Sequence, residues 1–342
     1  MVNNKYEMNS YEESQPVRSI SDYELTTPVL FLIFNRPDTT QRVFNEIRKA
    51  KPKKLFVSAD GPRKSKSGEY ENCQSARDII KQVDWDCEVY TNFMGKNLGC
   101  KIAISSGIDW FFNHVEEGVI LEDDCLPHAT FFSFCQELLN YYRDDKRIMM
   151  IGGSNFQFGR KRTLDSYYFS MYTIIWGWAS WRRAWKNYDV NMKLWPEIRD
   201  GGWLQDLLGS KKSANHWAKM FENVYWGGID TWDYQWNFAC WVHHGLTIIP
   251  NVNLISNVGC GKDSTHTSDS ADKRANLHVQ EMKFPLQHPS FVIHNMAADE
   301  HIRRTFIMLS FMERFKKNIS GRLQREWDKL QNFRHEMHNR II

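Results

Sequence analysis

Three consecutive carboxylates, Glu122-Asp123-Asp124, directly follow the apolar run Gly118-Val119-Ile120-Leu121. Like charges this close repel one another, so a fold that gathers them at a strand end either solvates them or sets a cation among them. Oxygen donors of this kind suit Mg2+ or Mn2+, which favour carboxylates combined with substrate phosphates. A divalent ion bridging a diphosphate would neutralise the charge that builds as the diphosphate leaves. A solvated acidic turn would produce the same triplet. Asn35-Arg36-Pro37 and Asp60-Gly61-Pro62 close two earlier apolar runs. The planar guanidinium of Arg36 could fork onto a phosphate or lie near a base. The carboxylate of Asp60 could accept the imide proton of a uracil. Both tripeptides are also ordinary turn formers.

Positioning these groups requires elements, and the periodicity supplies them. Val29-Leu30-Phe31-Leu32-Ile33-Phe34 is continuously apolar, as in a strand buried on both faces of a parallel sheet. Thr39 could cap a following helix that carries Val43 and Ile47. Leu55-Phe56-Val57-Ser58 and Glu88-Val89-Tyr90 read as the next strands, with a helix through Ala76, Ile79, Ile80 and Val83 between them. A helix near 100–115 precedes the strand Gly118–Leu121, and another carries Phe131, Phe134, Leu138 and Tyr142. Alternation at this spacing predicts a doubly wound α/β sheet over residues 28–152, whose ligand lies beyond the carboxyl ends of the strands. Asn35, Arg36, Asp60 and Glu122–Asp124 all fall there.

Beyond Gly152-Gly153 the texture shifts to Trp, Tyr and Gly. Trp176-Gly177-Trp178-Ala179-Ser180-Trp181 leads into an amphipathic segment ending near Trp185. Most of these tryptophans read as core, but aromatic faces also stack on sugars, and Trp178 and Trp232 are the two candidates for that role. A helix runs from Trp232 to about His243, Leu246–Ile249 reads as a strand, and 257–270 is a polar loop.

With 342 residues, 44 Lys and Arg against 41 Asp and Glu, and 42% hydrophobic residues, the chain is one large domain or two modest ones. Net charge +3 gives no global reason to bind nucleic acid. The longest apolar runs fall far short of the ~20 residues of a membrane span, and no apolar leader follows Met1. Seven cysteines without a C-x-x-C pair point to a reducing cytosol rather than a disulfide framework. Residues 301–342 hold ten Lys and Arg against four Asp and Glu, on a predicted helix. That tail could lie on an anionic inner leaflet, pack on its own domain or make a homodimer.

Taken in order, Ile33-Phe34-Asn35-Arg36, Val57-Ser58-Ala59-Asp60, Ile120-Leu121-Glu122-Asp123-Asp124 and Thr231-Trp232-Asp233 resemble the GT-A fold nucleotide-diphospho-sugar glycosyltransferases. Within them the pattern is similar to the inverting N-acetylglucosaminyltransferase that starts complex N-glycan branching, and to bacterial hemolytic-protein-like sugar transferases. The resemblance covers about residues 28–260. It implies a Rossmann-like, mostly parallel sheet with flanking helices, a Trp-rich acceptor-side lobe and a C-terminal helical tail. Together with the polar start and basic end of the chain, it divides the sequence into an arm (1–26), a nucleotide-sugar-binding half (27–152), an acceptor-side half of the same domain (153–300) and the tail (301–342). It also implies a UDP-sugar donor, Mn2+ or Mg2+ held mainly through Asp124, uridine near Arg36 and Asp60, and donor contacts through Asn35, Glu122 and Asp123.

The resemblance further gives Asp233 the part of catalytic base, taking the acceptor hydroxyl proton as that oxygen attacks the anomeric carbon. A carboxylate there would equally serve only to favour a helix start, with Thr231 as cap. Lys101-Ile102-Ala103 matches a donor-side motif but lacks the histidine that follows it in the family, and Ser256 falls at a phosphate-side serine. Lys262 or His266 could close over the diphosphate, or belong to a solvent-exposed loop. The implied acceptor is a hydroxyl of a bacterial surface glycan such as capsule, O-antigen or a lipid-linked precursor, with the enzyme cytoplasmic or peripheral at the inner membrane. Two alternatives stand beside it. A sugar-1-phosphate nucleotidyltransferase would want a Gly-rich loop after the first strand, which Asn35-Arg36-Pro37 is not. A glycan-binding protein using the tryptophans would have no need of a carboxylate triplet.

Overall fold

The structure, a computed structural model, describes residues 24–259 and 274–305. Lys262 and His266, most of the N-terminal arm and nearly all of the basic tail lie outside the described residues. In chain order the elements are β1 (Val29–Ile33), α1 (Pro37–Ala50), β2 (Lys54–Ala59), α2 (Glu69–Asp78), β3 (Glu88–Phe93), α3 (Cys100–His114), β4 (Glu117–Glu122), β5 (Cys125–Pro127), α4 (Thr130–Tyr141) and β6 (Ile148–Gly152). There follow β7 (Tyr167–Ser170), β8 (Trp178–Trp181), α5 (Arg182–Trp185), α6 (Trp195–Asp200), α7 (Trp203–Leu208), α8 (Lys211–Tyr225), α9 (Asp233–Val242), β9 (Leu246–Pro250) and β10 (Ile255–Asn257).

Eight strands form one sheet in the order β3-β2-β1-β4-β8-β6-β9-β7, and β10 pairs separately with β5. The β3, β2, β1 and β4 neighbours are parallel, and so are β6 and β9, while β8 and β7 run against their neighbours. The apolar run of β1 is buried on both faces, as its composition requires. Val29, Phe31 and Ile33 pack with α1 and α4 residues such as Phe44 and Phe131. Leu30 and Leu32 pack with Ile108 and Phe111 of α3 and Trp236 of α9. A third, mostly aromatic cluster binds α6, α8 and α9 through Trp195, Trp217, Phe221, Phe238 and Trp241. The expected α/β architecture with a Trp-rich lobe is therefore present.

Three local readings change. Helix α1 starts at Pro37, with Arg36 rather than Thr39 in the capping position. Proline needs no intrahelical partner for its missing N–H in the first turn, so it opens the helix three residues early. Trp178–Trp181 is a strand, inserted antiparallel between β4 and β6, with Trp178 opposite both Ile120 and Gly152. The sheet thus continues across residue 152 without a break. At α9, Trp232 holds the capping position, and the Thr231 hydroxyl donates to the Asp233 carboxylate rather than accepting a backbone N–H.

Candidate active site

The chain leaves β1 towards β2 on one side and returns through β3 and α3 to β4 on the other. Parallel β1 and β4 therefore part at their carboxyl ends, the place where open α/β sheets leave a crevice. Asp60 immediately follows β2, Asn35 and Arg36 follow β1, and Glu122 ends β4 opposite Leu32. All of these residues, with Asp123, Asp124, Trp232 and Asp233, line one cavity of about 720 Å³. Its far wall is supplied by the aromatic lobe, with Tyr172, Trp176, Trp217 and Tyr234.

The carboxylate triplet is a structured charge cluster. Arg36 Nη1 donates to Asp124 Oδ2 at 2.9 Å, and its Nη2 donates to Asp123 Oδ1. The second oxygen of Asp123 accepts the Phe34 N–H at 3.1 Å. With a side chain only 3% exposed and both oxygens used, Asp123 anchors Arg36 and β1 rather than facing a donor. Asp124 is 15% exposed and is the more open member of the pair. Burial opposes the Arg36 charge, but Asp123 and Asp124 together hold its pKa above the ordinary value. Glu122 is pushed well above the ordinary glutamate range, first by burial and then by Asp124 and Asp123, and its Oε1 has no hydrogen-bond partner.

Asp60 builds a loop as much as it faces the cavity. Its Oδ1 accepts the N–H groups of Gly61 at 2.8 Å and Leu98 at 2.9 Å, and its Oδ2 accepts the Asn97 amide at 2.7 Å. Burial, despite those N–H donors, raises the Asp60 pKa. A carboxylate oxygen accepts about two bonds, so one acceptor position remains on Oδ2. Gly61 is required here because a Cβ would sit 2.4 Å from the Lys96 backbone. Asn35 donates to Glu69 at 2.9 Å, and Glu69 is in turn ion-paired with Arg63, so Asn35 is braced rather than free.

Other expected residues fall elsewhere. Trp178 is completely buried, its ring stacked 5.7 Å from that of Trp232, and it does not line the cavity. Its place as the middle of an inserted strand makes it core, not a sugar platform. Trp232 is also buried but borders the cavity. Neither Lys101 nor Ser256 lines it; Lys101 offers its backbone N–H to Asp230, and Ser256 pairs across β10 and β5 with Leu126. Asn257 takes the lining position next to Ser256.

Three participants lie outside the expected site residues. Asp230 accepts the N–H groups of Cys100 at 2.9 Å and Lys101 at 3.0 Å, capping α3 from 130 residues away. Asn97 fixes Asp60, and its place just before Gly99 and α3 was the available signal. Asn237 is buried, its Oδ1 accepts from Thr173, and its Nδ2 is left without a partner beside the cavity.

A divalent cation fits this donor set only as a shared ligand. Among the described residues no three His, Cys, Asp or Glu side chains converge as an all-protein cage. Mg2+ in particular is commonly bound through one or two carboxylates plus substrate phosphates. Asp124 is placed to supply one carboxylate, and the orphaned Glu122 oxygen beside it is an acceptor in search of a donor or a cation. Around the whole cavity, six carboxyl groups face three guanidinium groups among the described residues. An anionic ligand would enter such a surface more readily with a cation than alone.

No protein-family model matches the chain, and no curated protein matches it. Similar solved structures include the mannosyltransferase PcManGT from Pyrobaculum calidifontis in complex with GDP-Man and Mn2+, at 14% identity over 50% of this chain and 49% of that one, with TM-score 0.32. Another is TarS 1-349 from S. aureus, at 9% identity over 47% and 49%, with TM-score 0.33. A third is a cytidylyltransferase from Leptospira borgpetersenii, at 11% identity over 48% and 64%, with TM-score 0.29. The chain spans about half the length of the first of these. Likenesses this slight assign neither activity nor ligand. Among the described residues no helix is long and apolar enough to cross a membrane.

Proposed function

We propose that the chain is a glycosyltransferase that moves a sugar from a UDP-sugar to a hydroxyl of a glycan or lipid-linked glycan, inverting the anomeric carbon and using Mn2+ or Mg2+. The observation that carries this reading is the gathering of Arg36, Asp60 and Glu122–Asp124 at the carboxyl ends of β1, β2 and β4, across one cavity from Asp233. Arg36 and the remaining acceptor on Asp60 would hold the phosphate and uracil ends of the donor. Asp124, with Glu122 beside it, would hold the divalent ion, which when bound offsets the negative charge gathering on the leaving diphosphate.

Asp233 opens α9 and lies close enough to Glu122 for its charge to add to the pressure on that group. One of its oxygens is braced by the Thr231 hydroxyl. The other would take the acceptor O–H proton as that oxygen attacks the anomeric carbon and the bond to the diphosphate breaks, its electron pair leaving with the diphosphate. The aromatic wall of Tyr172, Trp176, Trp217 and Tyr234 would receive an acceptor sugar face and exclude water.

A panel of nucleotide sugars with and without Mn2+, read by thermal shift on the full chain, tests this. One UDP-sugar should stabilise the protein selectively, and Asp124→Ala should abolish that gain. Indifference to every nucleotide would sink the reading. For the base, Asp233→Asn should keep donor binding while kcat falls ~10²–10⁴-fold; an unchanged kcat removes Asp233 from that role. Product NMR reads the anomeric outcome, and a retained configuration contradicts the direct displacement.

A further inference from the structure

We infer that Arg36 is an internal counter-ion that weakens cation binding at Asp124 until a divalent cation and an anionic donor arrive together, and that one arm of it then passes to the donor's phosphates; this rests on the reading of the cavity as a nucleotide-sugar site. The two arms of the guanidinium are not equivalent. One grips Asp123, whose other oxygen is tied to the Phe34 N–H, so that arm is fixed to the frame. The other grips Asp124 Oδ2 at 2.9 Å, on a side chain that is partly open to the cavity. The guanidinium covers one acceptor position of Asp124 Oδ2 and sets its positive charge against the carboxylate a cation would use.

The surroundings make this contact hard to share. The backbone at Gly259 presses on the pair so closely that a Cβ there would lie 2.2 Å from Asp124 Oδ2 and 2.6 Å from Arg36 Nη1. Val258 donates its N–H to the Asp124 carbonyl at 2.8 Å, which fixes that backbone in place. Asp124 Oδ1 meets only the weak Cys125 thiol donor, at 3.5 Å. A cation arriving alone can reach Asp124 Oδ1 but must remain beside the positive charge of a guanidinium already paired with the same carboxylate. A diphosphate arriving with the cation gives the displaced arm a bidentate partner. Cation and donor should consequently strengthen each other's binding, and by linkage the effect must be reciprocal.

Mn2+ titrations of the full chain, followed by the EPR signal of free Mn2+, test this with and without UDP. Arg36→Gln removes the counter-ion. Arg36→Lys keeps a positive charge beside buried Asp123 but cannot span two carboxylates, so it covers the case in which Arg36→Gln does not fold. Folded Arg36→Gln should bind Mn2+ alone roughly 10-fold tighter than the unmodified protein, folded Arg36→Lys tighter by a smaller factor because the charge stays while one contact is lost, and in each the gain in Mn2+ affinity on adding UDP should shrink by about as much. Mn2+ affinity without UDP that equals or falls below that of the unmodified protein overturns the inference. So does UDP binding that proceeds fully without Mn2+, although the donor reading survives that result. Absence of UDP binding under every condition defeats the donor reading and the hand-over to phosphate; the Mn2+-only comparison still decides whether Arg36 guards Asp124.

Discussion

Asp230→Ala should weaken the fold and the candidate donor side together. Helix α3 begins at Gly99, which has no side chain to cap it and sits at φ +81°. Its first N–H groups are satisfied instead by Asp230, through two bonds of 2.9 and 3.0 Å. Loss of a capping side chain costs ~1 kcal/mol, and loss of a carboxylate from a helix N-terminus a further ~0.3–1 kcal/mol. Asp230 is exposed, so water can reach the released N–H groups and no full burial penalty is added. The expected loss is about 1–2 kcal/mol. Asp230→Asn keeps one of the two acceptors and should lose about half as much. Because Leu98 and Asn97, just before the capped turn, hold Asp60, donor Kd should rise ~5-fold, the equivalent of ~1 kcal/mol. Urea unfolding and donor titration of the same preparations measure both. A midpoint and slope identical to those of the unmodified protein, or equal losses in the Ala and Asn variants, would refute the capping account.

Three further outcomes follow from single contacts. Gly259→Ala places a methyl against Asp124 and Arg36 and should cost ~1–3 kcal/mol in thermal stability; an unchanged Tm would show that the backbone gives way easily. Trp178→Ala empties a fully buried site and should cost ~3–5 kcal/mol, whereas Trp178→Phe should leave donor KM within about twofold; a donor-binding defect in a stable Phe variant would return Trp178 to the site. His294 Nδ1 contacts buried Asp299 at 2.7 Å, and that bond, against some burial, raises the His294 pKa. The folded state therefore binds this proton more tightly than the unfolded chain. Its stabilising effect is complete below pH 6.5 and is lost as pH rises from there through the higher folded value. His294→Gln should flatten Tm against pH over that window, and a persistent slope would assign it to another group.

The strands that matter most were legible because burial leaves a one-dimensional trace. Val29–Ile33 had to be apolar throughout once α1 and α4 covered one face and α3 and α9 the other. The triplet after β4 was legible for the same reason, as charge placed where an apolar run stops. Which oxygen each carboxylate spends on the fold was not legible. Asp123 and Asp124 are neighbours of one residue type, and only the third dimension gives Asp123 the Phe34 N–H and leaves Asp124 open. Trp178 shows the opposite limit. Four residues of β8 are too few for a period, so the indole's chemistry suggested a ligand where its position makes it core. Asp230 caps a helix 130 residues distant, and no local pattern encodes such a partner.

Charge gives the candidate site its direction. Burying carboxylates is unfavourable unless each finds a partner, and Arg36 can serve only two members of the triplet. Glu122 remains with an unpartnered oxygen, and burial, then Asp124 and Asp123, raise its pKa. A surface that bound only neutral sugars would gain nothing from this arrangement and would be more stable with an apolar residue at the end of β4. On the proposed function, a cation held by Asp124 with Glu122 beside it would change the balance and release one arm of Arg36 to an anion. Glu122, the one member left with an unpartnered oxygen, would then gain a partner. Local frustration of that kind is expected where binding energy is to be used. Asp124→Asn should weaken the Arg36 ion pair, lowering Tm modestly, and weaken Mn2+ binding with it; a lower Tm together with intact Mn2+ binding would show that the triplet serves the fold alone.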